Sequence, residues 1–138
     1  MSGLTKDTPK PTEIKLHQKS RVVDISFSDG KVFHFTYEFL RVHSPSAEVK
    51  GHGRGQETLQ TGKRNVGFKG IETVGNYAVK LEFDDGHDSG IFTWEYLRDL
   101  GANEKSLWNQ YLQKLKSARQ SRDPLPPETQ VITIQPLK

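Results

Sequence analysis

The chain has no cysteine among its 138 residues. Disulfide bonds and thiolate metal sites are therefore excluded. No apolar run approaches the ~20 residues that a membrane-crossing helix needs, and only 33% of the residues are hydrophobic. The opening MSGLTKDTPKPTE contains no apolar segment of the kind found in secretory signals. These absences predict a soluble cytoplasmic protein of one domain, without a membrane as partner.

The excess of positive charge is also small. Lysine and arginine number 20 against 17 acidic residues, for a net charge of +3. This mildly favours acidic partners. The basic residues between positions 50 and 64 have no aromatic residues among them, although single-strand binders combine the two. Nucleic acid is therefore not expected as a partner.

Composition divides the chain into three segments. Residues 1–11 carry prolines and lysines with almost nothing apolar, which predicts a flexible arm. Residues 121–138 begin with SRDPLPPE, whose prolines exclude a helix, and we predict a proline-rich flexible tail. The folded domain is then residues 12–120.

Within this domain, short segments that alternate apolar and polar residues are separated by turn signals such as SDG, GN and DDG. Thr36 and Thr93 stand where helix N-caps are expected, and Gly101 is expected to end the second helix. Asn103 is expected to cap a last, amphipathic helix. Its predicted apolar face consists of Leu107, Trp108, Tyr111, Leu112, Leu115 and Ala118. The prediction is an α+β fold with small antiparallel sheets.

An internal repeat indicates how these elements combine. SDGKVFHFTYEFLR at 28–41 aligns with DDGHDSGIFTWEYLR at 84–98, with one extra residue in the second copy. Each copy reads as a turn, a strand and a capped helical turn. Because one such unit buries too little apolar surface alone, we predict two β-β-α units paired around one core. The residues predicted to fill that core are Tyr37, Phe39, Leu40, Trp94, Tyr96 and Leu97.

Arg41 and Arg98 occupy the same position in the two copies. One interpretation pairs each arginine with the glutamate three residues earlier, Glu38 or Glu95. The other interpretation makes the two guanidinium groups contacts for an anion or a partner.

A long polar loop, HSPSAEVKGHGRGQETLQTGKRN, joins the two copies at 43–65. Loops of this length are functional or disordered. Its cations Lys50, Arg54, Lys63 and Arg64 are further candidates for contact with an anion or a partner. The loop lacks the GK[ST] ending of a phosphate-binding P-loop. A solvated loop without a ligand is the alternative.

Histidines provide the candidate metal ligands. The candidates are His43, His52 and His87, because two imidazoles together with a carboxylate have the chemistry to hold Zn or Fe. The alternative is that three scattered histidines share no ion.

The segments LRVHSPSAEV and DGHDSGIFTWEYLR resemble the amino-terminal domain of gamma-butyrobetaine hydroxylase and trimethyllysine hydroxylase. This domain also occurs as a small stand-alone bacterial protein of unknown function, and fused to some ATPases of iron–sulfur cluster delivery. In the hydroxylases this domain carries a zinc site of three cysteines and one histidine, and the resemblance implies which positions correspond to them in this chain. Those positions are Ser44, Ser46, Val49 and His87 here, so the zinc site is expected to be lost.

The resemblance further implies an accessory domain without the oxygenase domain that carries the hydroxylases' catalysis. We therefore expect a non-catalytic binding module that contacts another protein, with a homodimer as an open alternative. The competing hypothesis is a protein that binds Zn or Fe and takes part in iron–sulfur cluster or oxygenase metabolism. An enzyme is not expected, because no nucleophile–base set or carboxylate pair stands out.

Overall fold

The computed structural model describes residues 8–51 and 57–125, except for the side chain of Glu48. The first sheet has strands β1 Pro11–His17, β2 Val22–Phe27 and β3 Val32–Thr36, in the order β1-β2-β3. The second has β4 Phe68–Val74, β5 Ala78–Phe83 and β6 Gly90–Thr93, in the order β4-β5-β6. All pairings within the sheets are antiparallel. The helices are α1 Tyr37–Val42, α2 Ala47–Lys50, α3 Trp94–Ala102 and α4 Glu104–Ser117.

This architecture confirms the α+β prediction and shows one strand more in each repeat. The predicted hairpins are β2-β3 and β5-β6, and β1 and β4 extend the two sheets. Gly30 and Gly86 adopt φ angles of 89° and 93° in the two hairpin turns, a conformation that favours glycine. Each last strand runs directly into a helix, α1 in the first copy and α3 in the second.

Both predicted threonine caps are present. The Thr36 hydroxyl oxygen accepts the backbone N–H of Phe39 at 3.0 Å, and the Thr93 oxygen accepts that of Tyr96 at 3.0 Å. Each hydroxyl thus satisfies one of the N–H groups that a helix start leaves without a partner. The two repeats therefore turn from strand to helix by the same local interaction.

The helix of each repeat holds the turn of the other. Arg41 in α1 donates from Nε to Oδ2 of Asp85 at 2.9 Å, in the turn before β6. Arg98 in α3 donates to both carboxylate oxygens of Asp29, at 3.3 and 2.8 Å, in the turn before β3. The expected pairing within each helix is thus replaced by a reciprocal pairing between the repeats. This exchange gives the internal repeat the contacts of a two-fold symmetric pair.

The core lies between the two repeats and draws on both sheets. Five of the six predicted core residues are buried, and Tyr96 is half-buried. Tyr37 of the first repeat stacks on Phe68 of the second at 4.0 Å between ring centroids. The prediction of one shared core is confirmed by this packing.

Three details differ from the sequence prediction. Gly101 does not end α3, which continues to Ala102. Gly101 instead allows the helix to pack closely on Phe33, because a Cβ at position 101 would lie 2.4 Å from the Phe33 ring. The side chain of Asn103 does not cap α4 and donates instead to the carbonyl of Asp99 at 2.9 Å. The apolar face of α4 is narrower than expected, with Leu112 and Ala118 exposed.

Residues 121–125 lie against the folded body. Their backbone accepts hydrogen bonds from the N–H groups of Gly62 and Arg64, at 3.0 and 2.9 Å. Arg122 also forms a two-pronged ion pair with Glu38 of α1, with N–O distances of 2.6 and 2.8 Å. The proposed domain limits at 11/12 and 120/121 stay a prediction, with this short segment attached to the domain.

Candidate functional site

A cleft of about 470 Å³ opens between α1, α2, residues 57–60 and α4. Its apolar surface is formed by Val42, Val49, Leu59 and Leu107. Its polar surface is formed by His43, Lys50, Glu57, Gln60, Gln110 and Lys114. The volume lies within the roughly 300–1,000 Å³ of small-ligand sites. An apolar surface with a few polar groups is the usual composition of such a site.

His43 is held in one orientation at the end of α1. Its Nδ1 lies 2.9 Å from the carbonyl oxygen of Phe39, and its ring packs on the Phe39 ring at 4.5 Å between centroids. A carbonyl only accepts, so Nδ1 carries the proton and donates. In the neutral ring Nε2 is then a hydrogen-bond acceptor. No residue of the described ranges hydrogen-bonds to Nε2, and the atom is not sealed from solvent.

The cleft is electropositive around this imidazole. Burial lowers the pKa of His43 below its usual 6.5, and the charges of Lys50 and Lys114 lower it further, against the hydrogen bond to Phe39. The Nζ of Lys50 lies 5.4 Å from the ring centroid of Tyr96, whose hydroxyl donates to the His43 carbonyl at 2.6 Å. His43 is therefore neutral at pH 7, with two cations near it.

Tyr111 joins the wall of the cleft to the body. Its hydroxyl donates to the backbone carbonyl of Gln60 at 2.7 Å, which ties α4 to residues 57–60. Burial, and then the negative charge of Glu38, raise the pKa of Tyr111 to about 12. The guanidinium of Arg41 donates to the side-chain oxygen of Gln60 at 2.9 Å. The walls are thus fixed before any ligand binds.

A second polar cluster lies in the interior. The Nε2 of His87 is 2.8 Å from the Ser44 hydroxyl and 3.3 Å from the Ser46 hydroxyl. Ser44 is 0% exposed and His87 is 3% exposed. A Cβ on Gly90 would lie 2.6 Å from the Ser44 oxygen, so glycine is needed there. The repeat aligns Gly90 with Phe33, and the same offset continued beyond its end places Ser44 opposite Gly101. The two repeats therefore fill corresponding positions differently.

The structure brings together three of the positions that the hydroxylase resemblance assigned to zinc, Ser44, Ser46 and His87. They do not fit the metal, because serine is a poor zinc ligand and both hydroxyls already contact the single imidazole. Val49, the remaining position, lines the cleft. Across residues 8–51 and 57–125, no three acidic or histidine side chains are placed to share a metal ion.

The other predicted site residues are dispersed. Arg41 and Lys63 both contact Asp85, with Lys63 Nζ at 2.5 Å from Oδ2. Arg64 pairs with Asp123. Arg98 forms an ion pair with Asp29. His52 and Arg54 lie outside the described residues. Among the histidine, lysine and arginine candidates that the structure describes, Lys50 and His43 line the cleft.

Sequence reasoning missed most of the cleft. Thr58, Gln60, Gln110 and Lys114 were not singled out, because they come from segments far apart in the chain. One signal was available for Lys114. It falls three residues after Tyr111 of the predicted apolar face, and residues three apart on a helix are neighbours.

The family model for gamma-butyrobetaine hydroxylase-like N-terminal domains matches residues 14–98. The chain belongs to this family. The match covers both repeats and the loop between them, and ends at Arg98, before the end of α3 and the whole of α4. No curated protein matches the chain.

Solved structures of similar proteins cover most of the chain. Two proteins solved by NMR in solution are 47% and 50% identical. They cover 91% and 95% of this chain and 99% and 100% of their own, each with a TM-score of 0.74. A crystal structure of a DUF971 family protein of unknown function from Acidithiobacillus ferrooxidans is 43% identical. It covers 67% of this chain and 93% of its own, with a TM-score of 0.57. The family and the fold are therefore shared, and these names give no activity.

Among the described residues, no helix combines the length and the apolar composition that crossing a bilayer requires.

Proposed function

We propose that this protein is a non-catalytic binding module of the cytoplasm, which contacts a protein partner through the cleft between α1, α2, residues 57–60 and α4. The observation that carries the proposal is the cleft itself. Apolar side chains and two lysines converge there around a neutral imidazole. Hydrogen bonds of Tyr111 and Arg41 to Gln60 fix the walls. Preformed walls favour binding, because little order has to be gained when the partner arrives.

The proposal of a binding module rather than an enzyme is supported by the placement of the reactive groups. Ser44 and His87 have the spacing of a nucleophile and its base, but both are buried too deeply for a substrate to reach them. In the cleft, the Tyr111 hydroxyl already donates to a backbone carbonyl, and its pKa of about 12 makes it a poor general base at pH 7.

Affinity purification at native expression level tests the proposal. A tagged chain is compared with a variant carrying Lys50→Glu and Lys114→Glu, which reverses the charge of the cleft. The matched control is Lys116→Glu, an exposed lysine of α4 outside the cleft. We expect one protein in stoichiometric amount with the wild type and the control, and its loss with the double variant.

Recovery of the same proteins from all three chains would contradict the cleft as the contact surface. Recovery of no stoichiometric partner from the wild type would contradict the binding module. Co-purification of a second, untagged copy of this chain, lost with the double variant, would make the partner a homodimer.

A further inference from the structure

The residues that line the cleft also indicate the chemistry of its binding partner, on the assumption that the proposed function is correct. Lys50 and Lys114 are both exposed and both line the cleft. Each raises the electrostatic potential at His43. Glu57 is the acidic residue among the described lining groups, so two cations face one anion and a neutral imidazole. The described part of the lining is net positive and favours an anionic group.

His43 adds a requirement of its own. Its Nδ1–H is used by the Phe39 carbonyl, which leaves Nε2 as an acceptor. An occupant that satisfies Nε2 must supply a donor, such as an amide N–H. The apolar surface from Val42, Val49 and Leu59 requires a hydrocarbon group as well. The occupant therefore combines an anion, an N–H donor and an apolar side chain within a short distance.

The size of the cleft limits the occupant further. An α-helix is about 10–12 Å across with its side chains and needs a groove that continues over several turns. A volume of about 470 Å³ holds a much shorter segment. The last residue of a polypeptide combines the three groups in the least space: a carboxylate, the amide N–H before it and one side chain. Capture of a terminal carboxylate is a known mode of peptide recognition.

We propose that the cleft binds the carboxyl terminus of a partner protein that ends in an aliphatic residue. The terminal carboxylate lies between Lys50 and Lys114, and the last amide N–H donates to Nε2 of His43. The aliphatic side chain packs on Val42, Val49 and Leu59. The site would then prefer a chain end to an internal segment, because only the last residue of a chain has a backbone carboxylate next to an amide N–H.

NMR titration of the ¹⁵N-labelled full chain tests this with defined probes. The first probe is acetyl-Gly-Ala-Leu with a free carboxylate, and the second is the same peptide with a carboxamide end. The third, acetyl-Gly-Glu-Leu carboxamide, carries its acid in a side chain, and the fourth is 4-methylpentanoate. We expect saturable shifts at His43, Lys50, Thr58 and Tyr111 with the first probe, which binds roughly tenfold more tightly than the carboxamide, as loss of a charge-assisted contact implies.

Variants locate the anion. Lys50→Gln and Lys114→Gln should each weaken the free-acid peptide by about two- to fivefold, the range for exposed ion pairs. Lys116→Gln, on the same helix outside the cleft, should leave binding unchanged. Both substitutions in the cleft are at exposed positions, so loss of folding does not confuse the result.

Equal affinity for the free acid and the carboxamide would overturn the proposal. So would equal affinity for the side-chain acid, which would indicate an internal acidic segment, or for 4-methylpentanoate, which would indicate a small carboxylic acid. If no peptide binds and a charge-dependent partner is still purified, the chain-end inference fails and the binding module stands. If neither is found, both fail.

Discussion

The reciprocal arginine–aspartate pairs predict that one aspartate matters more to stability than its counterpart. Arg41 is 8% exposed in its ion pair, whereas Arg98 is 21% exposed in the other. Asp85→Asn removes the charge that faces both Arg41 and Lys63, while the amide oxygen still accepts from the backbone. Asp29→Asn is the matched control in the equivalent turn of the other repeat, and its pair is closer to solvent.

We expect Asp85→Asn to lower the free energy of unfolding by about 2 kcal/mol, because hydrogen bonds to charged groups contribute roughly 1.5–3 kcal/mol. Asp29→Asn should lower the free energy of unfolding by less, because ion pairs near the surface are screened by water. Urea unfolding followed by tryptophan fluorescence measures both values, and the chain has two tryptophans. A loss of 2 kcal/mol corresponds to a fall in Tm of roughly 8 °C for a domain of this size.

The effect also has a pH signature. Burial, which alone would raise the pKa of Asp85, is outweighed by the hydrogen bond from Lys63 and the charge of Arg41, so its pKa lies below the usual 3.8. A carboxyl whose folded pKa is depressed stabilises the fold above its unfolded pKa and loses this effect as pH falls through the folded pKa. The gap between wild type and Asp85→Asn should therefore be full at pH 7 and shrink below about pH 4. An equal or larger loss of stability for Asp29→Asn, or a gap independent of pH, would refute the larger contribution assigned to the Asp85 ion pairs.

Three further predictions concern packing, the attached segment and metal. Gly101→Ala should destabilise the fold by about 1–3 kcal/mol, because the new methyl group meets the ring of Phe33, and a second change, Phe33→Leu, should recover part of this loss in urea unfolding. Glu38→Gln should weaken the two-pronged contact with Arg122 and so speed proteolytic cleavage within residues 121–125. Cleavage at the wild-type rate would contradict this role for the ion pair. Protein purified without a histidine tag should carry less than roughly a tenth of an equivalent of zinc or iron, because serine replaces the ligands that zinc prefers. Its Tm should be unchanged by a chelator. Stoichiometric zinc or iron in the purified protein would overturn this prediction.

The repeat could be recognised from the sequence because its residues act locally. Threonine caps, hairpin turns and alternating strands depend on neighbours within a few residues, so Thr36 and Thr93 were placed correctly. The partners of Arg41 and Arg98 could not be found in this way. They lie in the other repeat, and the helix rule favoured a glutamate three residues earlier.

Interactions between distant segments account for the other differences. His17 and His34 look like ordinary strand residues in the sequence, yet both contact Asp24, at 2.8 and 2.5 Å, because three adjacent strands bring them to one face. The cleft depends on the packing of α4 against α1 and residues 57–60. Its lining therefore could not be read from spacing, although His43 and Lys50 were singled out for other reasons.

Site-specific photo-cross-linking from position 110 tests the role of the cleft most directly. A photoreactive amino acid replaces Gln110, which is exposed and lines the cleft, or Glu95, which is exposed on α3 outside it. In the cell that makes the protein, we predict an adduct with one protein from position 110, joined near that protein's carboxyl terminus. It should be absent from position 95 and lost with Lys50→Glu and Lys114→Glu. Equal adducts from both positions, or an adduct that survives the charge reversal, would contradict the cleft as the binding site.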